Sequence, residues 1–197
     1  MKKPLIILTG PTAVGKTKLS ISLAQAVNGA IISADSMQVY RHMDIGSAKI
    51  RPEEMCGVPH YLIDVLDPSE EFHVVKFVEL AHEAMEKIYA AGQIPIVTGG
   101  TGFYIQALLK EVDFTESHGE LPIRKQLEEK AATEEGAAEL YRELSEVDPA
   151  SAETIHPNNV KRVIRALEYY HETGQKISEH NEEQKQKESP YCSAYFV

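Results

Sequence analysis

Gly10-Pro11-Thr12-Ala13-Val14-Gly15-Lys16-Thr17 spells G-x-x-x-x-G-K-T, residue types and spacing whose chemistry is the capture of a phosphate chain. Two glycines let the backbone turn tightly, so that consecutive amides converge on one anion. The N-terminus of the helix that follows adds its partial positive charge. Lys16 brings a full charge, and the Thr17 hydroxyl is placed to ligate Mg²⁺ carried by the same phosphates. All eight residues are therefore expected to bind a di- or triphosphate, with Mg²⁺ as cofactor. Context makes the pattern specific: the apolar run Leu5-Ile6-Ile7-Leu8 precedes it and a helix-patterned stretch follows.

A phosphate loop alone names no reaction. Phosphoryl-transfer enzymes place an aspartate after an apolar strand to help hold Mg²⁺. Asp35 and Asp64 both loosely qualify, and Asp35 is favoured because Asp64 lies inside an apolar run. The strand ending at Thr98 is followed by Gly99-Gly100-Thr101 and no acid. A nucleotide-binding kinase or ATPase stays open at this point. Asp35 could also be only a turn or helix-capping carboxylate, and Thr101 could simply close a glycine turn.

These residues need a scaffold, and the first half supplies one. Leu5–Leu8, Ala30–Ser33, Tyr61–Leu66 and Ile94–Thr98 read as buried strands. Leu19, Leu23 and Val27 mark a helix capped by Gly29, and Val74 to Ile88 a second, stopped at Gly92. Alternating strands and helices predict a parallel sheet covered on both faces, with ligands at the strands' carboxyl ends. Asp35 and Thr101 follow two such ends. From about Val112 strand signals stop, and Pro122–Lys130, Glu135–Glu146 and Val160–His171 read as charged helices. Glu179–Glu188 is almost wholly polar and reads as an exposed connector. The expected organisation is an α/β phosphate-loop core over 1–112, a helical insertion lobe over 113–188, and a strand returning to the core over 189–197. An apolar strand at the very end suggests that the polypeptide continues.

Composition narrows the class. No apolar run approaches the ~20 residues of a membrane span, so no membrane contact and a cytoplasmic location are expected. Cys56 and Cys192 stand far apart, giving neither a disulfide framework nor a complete metal site. The net charge of −10 is uneven, with 10 basic against 11 acidic residues in 1–110 and 10 against 19 in 111–197. An acidic average argues weakly against a polyanionic partner, unless a local basic cluster overrides it.

Beyond the loop, five further stretches carry a resemblance. They are Ile32-Ser33-Ala34-Asp35-Ser36-Met37-Gln38-Val39-Tyr40, Met43-Asp44-Ile45-Gly46-Ser47-Ala48-Lys49, Pro59-His60-Tyr61-Leu62-Ile63-Asp64, Gly99-Gly100-Thr101-Gly102-Phe103-Tyr104, and His156-Pro157-Asn158-Asn159-Val160-Lys161-Arg162-Val163-Ile164-Arg165-Ala166-Leu167-Glu168. In order and in register, they closely resemble the tRNA dimethylallyltransferase family of prenyltransferases, whose members continue well beyond residue 197.

The resemblance implies that the loop holds dimethylallyl diphosphate, whose diphosphate leaves while the adenine amine beside the anticodon attacks. It implies Asp35 as general base, with Lys16 and Thr101 also catalytic. Asp35, Ser36, Met37 and Gln38 would meet the extruded base, and Thr101 and Arg124 would touch tRNA. Lys161, Arg162 and Arg165 form the one basic cluster of the acidic lobe. They either contact phosphates of the anticodon stem-loop or solvate a helix face. Arg124 could equally make a surface ion pair. Tyr40, Phe103 and Tyr104 either stack on a base or fill the core. A monomer is expected. The rivals are an adenylate isopentenyltransferase acting on free AMP, ADP or ATP, a small-molecule kinase, and a phosphate-binding module without turnover.

Overall fold

The computed structural model describes residues 2–11, 13–110 and 122–197. Met1, Thr12 and residues 111–121, the end of the expected core and the start of the expected lobe, lie outside the described residues. The chain divides into two compact units, Met1–Val112 with Glu188–Val197, and Asp113–Lys187.

The first unit is built on a five-stranded sheet, parallel throughout. Its strands are β1 (Lys3–Thr9), β2 (Gly29–Ser33), β3 (His60–Tyr61), β4 (Ile94–Gly99) and β5 (Tyr191–Phe196), in the order β3-β2-β4-β1-β5. Both faces are covered, which is why the central strands read as continuous apolar runs. Ile31 and Ile96 pack with Ile21 and Ala24 of α1 (Lys16–Val27) on one face. Leu5, Ile7, Ile32 and Val97 pack with Phe77, Met85 and Ile88 of α2 (Val74–Ala90) and Leu108 of α3 (Gly102–Lys110) on the other. Each such fully buried side chain contributes about 1.5–3 kcal/mol. This is a P-loop-like α/β fold, as the sequence predicts.

The local expectations need three corrections. The strand expected over Tyr61–Leu66 ends at Tyr61, because Leu62 (φ 63°) and Asp64 (φ 55°) take left-handed backbone and turn the chain away. Helix α1 is capped by Asn28 (φ 52°), which donates its amide to Ala24, and Gly29 already belongs to β2. The polar stretch expected to be a connector is helix α8 (Ile177–Gln186).

The second unit is helical: α4 (Pro122–Lys130), α5 (Glu134–Val147), α6 (Pro149–Thr154), α7 (Val160–Thr173) and α8. Leu127, Leu140, Leu144, Val163, Ile164 and Leu167 form its core. No helix among the described residues is long and apolar enough to cross a membrane.

Candidate functional site

The site is built where β1, β2 and β4 end. After β1 the chain passes through the phosphate loop, and Gly15 takes φ 89° as the residue that opens α1. A side chain there would strain the backbone. Ala13 also sits at φ 68°, a cost for a residue with a Cβ. The Lys16 ammonium donates to the carbonyls of Gly10 (2.8 Å) and Pro11 (2.6 Å), which fixes the lysine over its own loop. The Thr17 hydroxyl is exposed and has no hydrogen-bond partner among the described residues.

Asp35 follows β2. Its Oδ1 accepts from the amides of Met37 (2.8 Å) and Gln38 (3.2 Å), so this oxygen caps the turn, while Oδ2 has no partner among the described residues. The turn role that the sequence leaves open is therefore real, and it leaves half the carboxylate for other work. A close approach of β2 to β4 sets its position: the Ala34 amide donates to Thr98 at 2.8 Å, and a Cβ on Gly99 would collide with the Ala34 carbonyl.

Gln38 does something the sequence does not announce. Its Oε1 accepts from Ser33 Oγ (3.2 Å), and its Nε2 donates to the carbonyls of Ser47 (3.4 Å) and Ala48 (3.2 Å). The side chain braces the segment Gly46–Ala48 against the end of β2.

These pieces surround one cleft of about 580 Å³. Of the expected residues, Ala13, Gly15, Lys16, Thr17, Asp35, Met37 and Gln38 line it. Gly10, Pro11, Val14 and Ser36 do not, and Thr12 lies outside the described residues. Thr101 stands one residue past the lining Gly100, where its carbonyl accepts the amides of Tyr104 and Ile105 and starts α3. Ser33, Ser47 and Thr98 are lining residues that the sequence reading missed. For Ser47 the Gly46-Ser47 pair was the available signal, but loop lining depends on tertiary approach.

The aromatic question resolves by contact. Tyr104 stacks on Phe77 (centroids 5.0 Å apart) and meets Phe72 edge-on, so it packs against the core, while the half-buried Tyr40 meets Phe72 edge-on at the margin of that cluster. Phe103 is exposed.

The expected tRNA-contact residues of the helical unit fall into two kinds. Lys161, Arg162 and Arg165 are all exposed on α7, opposite its buried stripe. Arg124 is engaged, with Nε 3.2 Å from Glu128 and Nη1 3.5 Å from Glu168. Glu168 is buried, and its Oε1 has no partner among the described residues. Burial pushes its carboxyl above the usual range, against the pull of Arg124.

The hard oxygen donors of the cleft, Thr17 Oγ1 and the phosphate oxygens a ligand would bring, suit Mg²⁺. Among the described residues there is no cluster of three His, Cys, Asp or Glu side chains able to hold a metal alone.

Comparison with known proteins places the chain. Residues 38–197 match the IPP transferase family. The tRNA dimethylallyltransferase of Lachnoclostridium phytofermentans is 65% identical over 195 residues, covering 99% of this chain and 62% of the relative. That of Bacillus mycoides is 51% identical, covering 93% and 57%. Among solved structures, a eukaryotic dimethylallyltransferase acting on tRNA superposes with a TM-score of 0.84 at 40% identity, over 98% of this chain and 47% of that one. A tRNA isopentenylpyrophosphate transferase from Bacillus halodurans gives 0.61 at 45% identity, over 98% and 59%. The chain thus spans 57–62% of the length of these curated relatives. The chain belongs to the IPP transferase family.

Proposed function

We propose that this protein transfers the dimethylallyl group of dimethylallyl diphosphate to the N6 amine of the adenosine beside the anticodon of tRNA. The observation that carries this reading is one cleft lined by both the phosphate-loop residues Lys16 and Thr17 and the carboxylate of Asp35. A phosphate grip and a proton acceptor facing one space are what displacement of diphosphate by a weak nitrogen nucleophile requires.

In the reaction the C1–O bond of the allylic ester breaks and the C1–N6 bond forms. The leaving diphosphate takes the bonding electrons, and the amine gives up a proton. The loop amides and the Lys16 ammonium stabilise the charge that accumulates on the departing oxygen. For Lys16 to turn to that oxygen, it exchanges the Gly10 and Pro11 carbonyls for phosphate, a stronger, charge-assisted partner. Mg²⁺ held by the Thr17 hydroxyl and the phosphates would neutralise further charge there.

Asp35 accepts the amine proton at Oδ2, while Oδ1, held by two backbone amides, keeps the carboxylate aimed. The exposed Met37 offers apolar surface to an adenine extruded from the anticodon loop. Gln38 holds the facing wall and Ser36 stands beside them. Thr101 positions the diphosphate or the tRNA from the start of α3. In the helical unit, Arg124 and the exposed Lys161, Arg162 and Arg165 contact tRNA. We place the protein in the cytoplasm as a monomer.

The test supplies labelled dimethylallyl diphosphate with tRNA, with AMP, or with neither acceptor. Label in tRNA alone is the expected result. Label in AMP would make the protein an adenylate prenyltransferase. Label in neither acceptor would contradict the reading.

A further inference from the structure

We infer that Lys49 is a positioning residue whose ammonium sets the spacing between the Asp35–Gln38 turn and the Gly46–Ala48 wall of the cleft. Its catalytic consequence rests on the dimethylallyl-transfer reading, whereas the structural tie does not.

Lys49 Nζ donates to the Tyr40 carbonyl at 2.7 Å, to Asp44 Oδ1 at 2.8 Å and to Asp64 Oδ1 at 2.6 Å. An ammonium has three donors, and all three are used. The lysine side chain is only 5% exposed, against 70% for Asp44 and 49% for Asp64, so a buried cation is clasped from outside by two carboxylates. Burial pulls the Lys49 ammonium down, but those carboxylates outweigh it and hold it above the ordinary lysine range. It is charged throughout the neutral range.

The three acceptors come from three places. Tyr40 lies two residues beyond Gln38, Asp44 precedes the Gly46–Ala48 wall, and Asp64 sits in the turn after β3. Lys49 itself follows Ala48, which lines the cleft. The same segments are laced by backbone bonds: Asp64 N to Gln38 O (3.1 Å), Val65 N to Val39 O (2.9 Å) and Arg41 N to Leu66 O (2.8 Å).

Four residues in these segments, His42, Ala48, Leu62 and Asp64, have left-handed backbone. Such conformations persist only where the surroundings over-determine them. The clasp is the charged centre of those surroundings. None of its members belongs to the hydrophobic clusters beneath the sheet. Its loss should therefore shift the cleft walls without dissolving the sheet. Ordinary exposed ion pairs contribute little; this one differs because the cation is buried and removing it leaves two carboxylates facing one another.

The test compares the parent with Lys49→Met, which keeps an unbranched side chain one atom shorter and removes the charge, and with Asp64→Asn. Asparagine tolerates the left-handed turn, so the second variant folds even where the first does not. Amide exchange is measured at Met37–Val39 and Gly46–Ala48, with β1 and β4 as internal reference. We expect exchange at the two loop segments to rise roughly tenfold or more in Lys49→Met, and less in Asp64→Asn, with the reference strands unchanged. In the transfer assay kcat should fall about 100-fold in Lys49→Met, the scale of a 1 Å misplacement, while KM for dimethylallyl diphosphate changes less than about threefold. Unchanged loop exchange in both variants would overturn the inference, whether or not the parent transfers. So would a parent-like kcat in a parent that does transfer. Absence of transfer by the parent would sink the proposed function alone, and exchange would still decide the clasp.

Discussion

The two units of this chain spend their conformational freedom differently. Among the described residues, the seven non-glycine residues with left-handed backbone, Ala13, Asn28, His42, Ala48, Cys56, Leu62 and Asp64, lie in the sheet unit. Among the described residues of the helical unit, only Gly174 goes there, as the C-cap of α7. The helical unit follows local rules: Thr133 caps α5 through the Gly136 amide, and Asp148 caps α6. The sheet unit departs from those rules mainly in the loops around its cleft. Strain concentrated beside a cleft marks geometry held for chemistry, whereas satisfied caps mark geometry held for stability. Substitutions in the first should change rates, and in the second, melting.

The sharpest test is Asp35→Asn. Asparagine Oδ1 still accepts the Met37 and Gln38 amides, so the turn survives, but the side chain no longer takes a proton. Transfer should fall by about 10²–10⁴-fold with diphosphate affinity intact, read by single-turnover kinetics and calorimetry. Near-parent turnover would remove Asp35 from the base role.

Asp148→Ala should show the opposite behaviour. Asp148 is 1% exposed and accepts from the amides and hydroxyls of Ser151 and Ser178, joining α6 to α8. Its removal should cost about 3 kcal/mol, since several charge-assisted bonds go together. Burial raises the Asp148 carboxyl, but those hydrogen bonds outweigh it and hold it below the usual carboxylate range. A depressed folded pKa means stability present above the ordinary carboxylate value and lost as pH falls through the folded one. Denaturation below about pH 4 should thus be blunted in Asp148→Asn relative to the parent. A loss of transfer with no loss of stability in Asp148→Ala would break the contrast.

Gly99→Ala lies between the two. A Cβ there meets the Ala34 backbone, so we expect about 1–3 kcal/mol of destabilisation and a displaced Asp35. Thermal melting checks the first and kcat the second. The smallest stability effect should come from Lys161→Glu combined with Arg165→Glu, within about 0.5 kcal/mol because both are exposed. That variant should nevertheless weaken tRNA binding and flatten its salt dependence. An unaltered salt slope would mean that the two side chains only solvate α7.

How far the sequence carries follows the same division. The loop 10–17 and strands β1, β2 and β4 were legible because glycine spacing and unbroken apolar runs are local signals. Helix α8 was not, since its segment Ile177–Gln186 lacks an apolar stripe and reads as solvent-facing. Helix α3 was hidden by Gly99, Gly100 and Gly102, which read as a turn. The end of β3 at Tyr61 was illegible because Leu62 looks like a strand residue and is forced left-handed by its surroundings. In the cleft, Asp35 could be picked out by its place after β2. The bracing role of Gln38 could not, because its partners Ser47 and Ala48 are chosen by the fold.

The central claim is that the loop grips the diphosphate of an allylic ester and not the tail of ATP. Calorimetric titration of the parent and of Lys16→Ala with dimethylallyl diphosphate and with ATP tests it most directly. The account predicts that the parent binds the allylic ester in preference to ATP and that Lys16→Ala binds it at least tenfold more weakly, the scale of one lost charge-assisted contact. A parent that binds ATP and ignores the ester, or an unchanged affinity in Lys16→Ala, would contradict it.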